Sequence, residues 1–393
     1  MMKILFLPRW FPIPSDPLWG LFVLNHARAA GMHHEVFVLY TDKSDEPDLV
    51  GKSPYFTELE GVPVCYNFYA PAKGAVAARL LTMLKMWRAW IRGWRFVVRE
   101  KGIPGLVHVH ILTRLGFFAW MVKLRYRIPY VITEHWSRYL PQNLYYRGCL
   151  RKWTTRIVVS GAGAVMPVTK NLQEAMLGFG LMNRHYRVVP NAVDSQRFID
   201  PDMARHHEVF TLVHISTFDD RAKNISGILR VAQRLEKADK RFVLRLIGDG
   251  QDFNTLKAYA ENLGLSPEKV RFEGAAKPDE IPGILGQSDL LLIFSHYENM
   301  PVVINEAFVA GVPVVATRVG GIPEYVDETN GVLVEPGDEE GLFRVLSDLS
   351  DHGTGRFDRA HIRQKAISSF SYAAVGQQIS EAYQLAQEKS THV

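Results

Sequence analysis

Short runs of apolar and β-branched residues alternate with longer stretches of helical periodicity along the whole chain, the pattern of parallel α/β folding. In the first half the apolar runs predict strands at Lys3–Leu7, Glu35–Tyr40, Leu106–His110, Tyr130–Thr133 and Ala164–Val168. The second half repeats the scheme at Thr211–Ser216, Phe242–Gly248, Val270–Phe272, Leu290–Ser295, Pro313–Thr317 and Val332–Val334. Two such series predict two doubly wound, Rossmann-like domains, residues 1–190 and 191–371, with a hinge at Val189–Asp194 where Pro190 and Asn191 break the chain. A helical stretch from Tyr372, within residues 372–393, is expected to pack back on the first domain.

One helical segment carries two stripes at once. Between Arg79 and Arg99, Lys85, Arg88, Arg92, Arg95 and Arg99 recur three or four apart, and Leu80, Leu84, Trp87, Ile91, Trp94 and Val98 form an apolar stripe of the same period. Two readings stay open. A cationic, tryptophan-bearing helix suits an anionic membrane surface, and a surface helix resting its apolar stripe on a sheet has the same periodicity.

Charge sharpens the division into halves. Residues 1–190 hold 25 Lys+Arg against 11 Asp+Glu, a balance of +14, and the remainder holds 21 against 30, a balance of −9. The first domain is therefore expected to face something anionic. No nucleic-acid-binding motif accompanies the charge, so nucleic acid is not an expected partner. Two cysteines, Cys65 and Cys149, form neither a disulfide framework nor a metal site, which suits a reducing, cytoplasmic compartment. No export signal and no apolar run long enough to span a bilayer is read from the sequence.

Ligands of open parallel sheets bind beyond the carboxyl ends of the strands, so two facing sheets predict a site in the cleft between them. The most informative string is Glu298–Asn299–Met300–Pro301–Val302–Val303–Ile304–Asn305–Glu306–Ala307–Phe308, followed by Gly311, Pro313 and Val319–Gly320–Gly321–Ile322–Pro323–Glu324. Pro301 suits the first position of a helix, whose amides and dipole would meet an anion such as a diphosphate. Glu298 would precede that helix and Glu306 would stand in its second turn. Eight helical residues rise about 12 Å, more than the spacing of paired glycosidase carboxylates, so the two glutamates are expected to hold different parts of one elongated ligand.

That string resembles the hallmark of a family-four retaining glycosyltransferase of the GT-B architecture (glycosyl transferases group 1), two glutamates separated by seven residues. VVPNAVDSQRF at 188–198, LIGDGQD at 246–252 and GVPVVATRVGGIPEYV at 311–326 extend the likeness over most of the chain. The resemblance implies retaining, hexosyl-type transfer from a UDP- or GDP-sugar to a hydroxyl of a glycan or lipid-linked acceptor, in polysaccharide or glycoconjugate synthesis, with no metal or other cofactor. It implies that Glu298 contacts the donor sugar, Glu306 the ribose, and the amides around Asn299, Met300, Pro301 and Val302 the sugar and diphosphate. It further implies that Gly20 lets the backbone approach phosphate and acceptor, that His135 meets the donor sugar, and that Lys223 neutralises the leaving diphosphate.

In one place the sequence departs from the pattern. The family has Gly–Arg some five residues before that lysine, where this chain has Ser216–Thr217–Phe218, and Arg221 is the nearest replacement. Two competing readings follow, a sugar-nucleotide epimerase of similar architecture and a non-catalytic nucleotide-sugar-binding protein. Asp200–Pro201–Asp202 has the spacing of a metal-binding pair but lies in a polar linker.

Overall fold

The structure is a computed structural model that describes residues 1–74, 76–112, 114–140, 146–198 and 209–388. It divides into two compact units. Unit 1 comprises Met1–Val168, Gln173–Ala192 and the stretch from Tyr372; unit 2 comprises Thr169–Leu172 and Val193–Ser371. The pair at Asp200 and Asp202 lies outside the described residues.

In unit 1 the elements run β1 (Lys3–Pro8), α1 (Leu21–Gly31), β2 (Glu35–Lys43), α2 (Pro47–Lys52), β3 (Tyr55–Leu59), β4 (Val62–Tyr69), α3 (Val76–Lys101), β5 (Leu106–His110), α4 (Arg114–Tyr126), β6 (Tyr130–Glu134), α5 (Cys149–Gly161), β7 (Val165–Pro167) and α6 (Lys170–Gly178). Its seven-stranded sheet has the order β3-β4-β2-β1-β5-β6-β7. All pairs are parallel except β3 with β4. Strands such as β1 and β5 are buried along almost their whole length, because helices cover both faces of a parallel sheet.

Unit 2 contains β8 (Phe210–Ile215), α7 (Asp220–Lys223), α8 (Ile225–Lys237), β9 (Phe242–Ile247), α9 (Phe253–Asn262), β10 (Val270–Gly274), α10 (Ile281–Gly286), β11 (Leu290–Ile293), α11 (Val302–Val309), β12 (Val314–Thr317), β13 (Gly331–Val334), α12 (Glu339–His352) and α13 (Arg359–Phe370). Its sheet is wholly parallel, in the order β10-β9-β8-β11-β12-β13. The last helix, α14 (Tyr372–Glu388), belongs to unit 1 and packs on α1 so closely that a Cβ on Gly376 would stand 2.3 Å from the Ala29 carbonyl oxygen.

Both sheets are doubly wound. The strand order reverses between β1 and β5 in unit 1 and between β8 and β11 in unit 2, and the loops leaving those strands diverge to form ligand crevices. Every strand expected from the sequence is present, with ends moved by three residues or fewer. The β3–β4 hairpin was not expected.

Helix α3 corrects the stripe reading. The face that packs inward is Met86, Ala89, Trp90, Gly93, Trp94 and Val97. Of the expected apolar stripe only Trp94 belongs to it, while Leu80, Leu84 and Ile91 stay exposed. Arg92 is not a free surface cation either, since its guanidinium donates to the Asn67 side-chain oxygen and the Phe68 carbonyl of β4.

Candidate active site

In unit 2 the reversal between β8 and β11 brings two of the expected residues together. Lys223 ends the short helix α7 after β8, and Glu298 lies in the loop after β11. The Lys223 Nζ stands 2.5 Å from the Glu298 Oε1, and the Ser295 hydroxyl donates to the same oxygen at 2.9 Å. Backbone fixes the pair, because the His296 N–H donates to the Ala222 carbonyl at 2.8 Å. Both side chains are mostly sheltered, which makes the charges count for more than they would in water. Sequence reasoning missed Ser295 and also His214, a buried β8 residue whose ring bridges the Leu292 carbonyl and the Ser216 hydroxyl. Burial lowers the His214 pKa to about 4, so the ring is a neutral brace.

Helix α11 starts one residue later than expected. Pro301 is its N-cap, with φ −62° and ψ 125°, and its carbonyl accepts from Ile304, so the ring precedes the first turn instead of opening it. No side chain caps the helix. Asn299 and Met300 are buried just ahead of it. Glu306 stands in the second turn with no hydrogen-bond donor to its carboxylate among the described residues, and burial pushes its carboxyl up to about 7. Between the two glutamates only Val302 to Glu306 is helical, a rise of about 6 Å, so the 12 Å helical separation does not apply.

A glycine holds the loop of Glu298 in place. Gly320 has φ +56°, and a Cβ there would come 2.0 Å from the Glu298 carbonyl oxygen. Gly320→Ala should therefore displace Glu298 and lower the melting temperature by several degrees, the size expected of about 2 kcal/mol of backbone strain and clash. Calorimetry of the purified variant checks this.

The remaining unit 2 candidates divide. Phe218 occupies the position of the missing arginine and is fully buried against Phe253 and Phe272. Arg221 is exposed on α7, two residues before Lys223, so the two do not share a helix face. The sequence leaves open whether Arg221 replaces the missing arginine, and the fold sets the Arg221 side chain in solvent on α7.

In unit 1 the corresponding crevice at β1 and β5 contains His135. Its Nδ1 bonds the Asn191 side-chain oxygen at 3.0 Å and its Nε2 lies 3.2 Å from the His110 Nδ1. The oxygen acceptor requires His135 to carry its proton on Nδ1, so His110 donates to Nε2. His26 and His108 complete a cluster, His26 on the Pro190 carbonyl and His108 between the Tyr383 and Thr133 hydroxyls. Burial holds all four neutral, His26 at about 4 and the others well below the usual range. His26, His110 and His135 bring ring nitrogens within 4.8 Å of one another. They are the described residues placed to hold a metal, and an all-imidazole set suits zinc or copper over magnesium.

Glu134, unremarked in the sequence, is the organiser of this crevice. Fully buried, it accepts from the backbone N–H groups of Leu112, His135 and Trp136 and so ties the loops after β5 and β6 together. Gly20 caps α1 at φ +71°, and a Cβ there would lie 2.4 Å from the Trp10 carbonyl carbon. The close approach that demands glycine is thus to the chain's own Trp10–Phe11 backbone.

Two parallel Rossmann-like sheets, with a lysine–glutamate pair and an uncapped helix at the switch point of the second, define a GT-B protein. Whole-chain likeness to solved structures supports the same fold. Sucrose-phosphate synthase of Thermosynechococcus elongatus superposes with a TM-score of 0.78 at 16% identity over 99% of this chain and 100% of that one. HepE of Anabaena in complex with UDP gives 0.75 at 19% identity over 98% and 100%. The family model of glycosyl transferases group 1 matches residues 196–367, and that of glycosyltransferase family 4 matches residues 20–197. The chain belongs to the group 1 glycosyltransferases.

Among curated relatives, D-inositol 3-phosphate glycosyltransferase of Corynebacterium jeikeium is 26% identical over 73% of this chain and 74% of its own. N-acetyl-alpha-D-glucosaminyl L-malate synthase of Bacillus anthracis is 29% identical over 51% of this chain and about half, 54%, of its own length.

Proposed function

We propose that the protein transfers a hexosyl-type group from a UDP- or GDP-sugar to an acceptor hydroxyl with retention of anomeric configuration. The observation that carries the reading is the Lys223–Glu298 pair ahead of the uncapped α11, set at the strand ends where a diphosphate and its sugar would lie. In the step, the acceptor oxygen bonds the anomeric carbon, the bond from that carbon to the diphosphate breaks, and the hydroxyl proton leaves with the diphosphate. Lys223 and the α11 amides stabilise the departing charge. Glu298 orients the sugar hydroxyls, and neutral His135 contacts the sugar. No metal or other cofactor takes part in this reading. Likeness of fold to HepE of Anabaena, whose structure is of a complex with UDP-glucose, supports a nucleotide-sugar donor.

Glu306 serves the ribose, whose hydroxyls donate more strongly to an ionised carboxylate than to a protonated one. Burial raises its pKa from 4.5 to about 7, so the free protein holds it largely protonated below that pH. Donor affinity should thus rise with pH and be weaker at pH 6 than at pH 8 by up to about tenfold. Calorimetry with a nucleotide sugar, whose diphosphate diester does not titrate in this range, reads the effect directly. Glu306→Gln should flatten the profile, and Glu306→Ala should weaken binding at all pH values. Glu298→Ala should instead lower turnover more than nucleotide affinity. Equal losses of nucleotide affinity in the Glu298 and Glu306 variants would refute the division of labour.

No helix among the described residues is long and apolar enough to cross a membrane. The reading includes peripheral contact with an anionic membrane surface, supported by exposed Leu80, Leu84 and Ile91 beside Arg88 and Arg95 on α3.

A further inference from the structure

Unit 1 contains a cavity of about 730 Å³ at the carboxyl ends of its parallel strands. This is within the range of sites that bury most of a bound ligand, roughly 300–1,000 Å³. Its walls have two chemistries. Met86, Trp87 and Trp90 of α3 and Leu115 and Phe117 of α4 make an apolar wall. Lys43 at the end of β2, Arg114 at the start of α4 and Arg138 after β6 make a cationic one.

These cations are available. Lys43 and Arg114 are exposed and pair with no carboxylate among the described residues, and Arg138, which feels the charge of Glu134, keeps its Nε buried without a hydrogen bond while its guanidinium stacks 3.4 Å above the Trp136 ring. Asp42 is the one acidic residue of the lining, and Arg9 already neutralises it at 3.1 Å. The cavity is also open on an apolar edge. Met83 and Leu150 line it and are exposed, Leu150 by 74%, and Leu80 and Leu84 continue that edge along α3.

A free phosphate would leave the aromatic wall in water, and a neutral lipid would offer Lys43, Arg114 and Arg138 no negative charge. A ligand with a phosphate or diphosphate joined to a hydrocarbon chain satisfies both walls. We propose that this cavity binds an anionic amphiphile, an isoprenoid or acyl phosphate, as the carrier of the acceptor. The proposal rests on the glycosyltransferase reading for the word acceptor and on the cavity alone for the ligand. The phosphate meets Lys43, Arg114 and Arg138. The first part of the chain lies along Met86, Trp87, Trp90 and Phe117, and the remainder leaves past Met83 and Leu150.

The test uses the full chain and its own fluorescence, since Trp87, Trp90 and Trp136 line the cavity. Farnesyl diphosphate should quench it saturably and bind more than about tenfold tighter than pyrophosphate or farnesol alone, the loss expected when charge-assisted hydrogen bonds or the apolar contact are removed. Lys43→Gln with Arg114→Gln should weaken binding by about tenfold or more, and Met83→Glu, a change at an exposed position, should weaken it likewise. Both variants should keep the thermal shift produced by UDP or GDP. Sedimentation with neutral vesicles separates the sources. Those doped with a polyprenyl phosphate should bind, and those doped with equal phosphatidylglycerol should bind less.

Equal affinity for pyrophosphate, equal affinity for farnesol, no saturable quenching, or equal binding to both vesicles would each overturn the proposal. A protein that no nucleotide stabilises would instead overturn the donor reading and leave the cavity result standing.

Discussion

Lys223→Ala should lower the turnover number by about a hundredfold or more, equivalent to about 2.7 kcal/mol of lost transition-state stabilisation. The expectation follows from how few charges meet at the strand ends of unit 2. Among the described residues Lys223 is the one cation paired with Glu298, and the position that supplies an arginine elsewhere in the family is filled by Phe218, locked in the core. What remains for the leaving diphosphate is the N-terminus of α11, whose partial charge is about half a unit. The variant also releases Glu298 from its ion pair, leaving it the Ser295 hydroxyl. Arg221→Ala, by contrast, should keep most of the activity, because α7 turns that side chain away from Lys223. Initial rates at saturating donor decide it. A loss of threefold or less in the Lys223 variant would remove the lysine from the mechanism, and a hundredfold loss in the Arg221 variant would restore the cation pair.

Acid should unfold unit 1 well before ordinary acid denaturation sets in. Its four clustered histidines, His26, His108, His110 and His135, have folded pKa values far below the unfolded 6.5. A depressed base binds its proton more readily once unfolded. Stability is therefore full above about pH 6.5 and falls as the pH drops towards 4, each histidine adding up to about 1.4 kcal/mol per pH unit. Glu134 opposes this, since burial raises its pKa and the folded state gains by protonating it, but it is one acid against four bases. Unit 2 is better balanced, with Glu306 raised to about 7 and His214 lowered to about 4. Tryptophan fluorescence isolates the effect because all eight tryptophans, Trp10 through Trp153, lie in unit 1. Urea midpoints should fall steeply from pH 7 to pH 5, and His108→Gln should reduce the slope by about one proton. A flat midpoint over that interval would show that the cluster is hydrated and titrates normally.

The architecture was legible in the sequence because buried parallel strands read as continuous apolar runs, whichever helix covers them. The β3–β4 hairpin escaped because β4 hides its strand character. Pro63 and Asn67 interrupt its pattern, and Asn67 is tolerated in the core only because Thr41, the Ala89 carbonyl and Arg92 satisfy its amide. The α3 stripe was a real period assigned to the wrong face, since periodicity gives the spacing of a stripe and not which stripe meets the sheet. Glu298, Glu306 and Lys223 were found through a local string, and the Lys223–Glu298 contact joins two segments 75 positions apart. The cavity of unit 1 was invisible because its walls come from the ends of many separate elements, none carrying a motif of its own.

The return of α14 to unit 1 sets an order of assembly. The ribosome releases β1 through β7 first, yet Tyr383, which anchors His108, arrives only after the whole of Val193–Ser371 has been made. Unit 2 is continuous over that span and can close its core while α1 still waits for the helix that covers it. The nascent first unit meanwhile exposes the apolar strip that Val375, Ile379 and Tyr383 later bury. A chain halted before Tyr372 would therefore carry a finished unit 2 and an adhesive, unfinished unit 1, a natural client for chaperones and proteases.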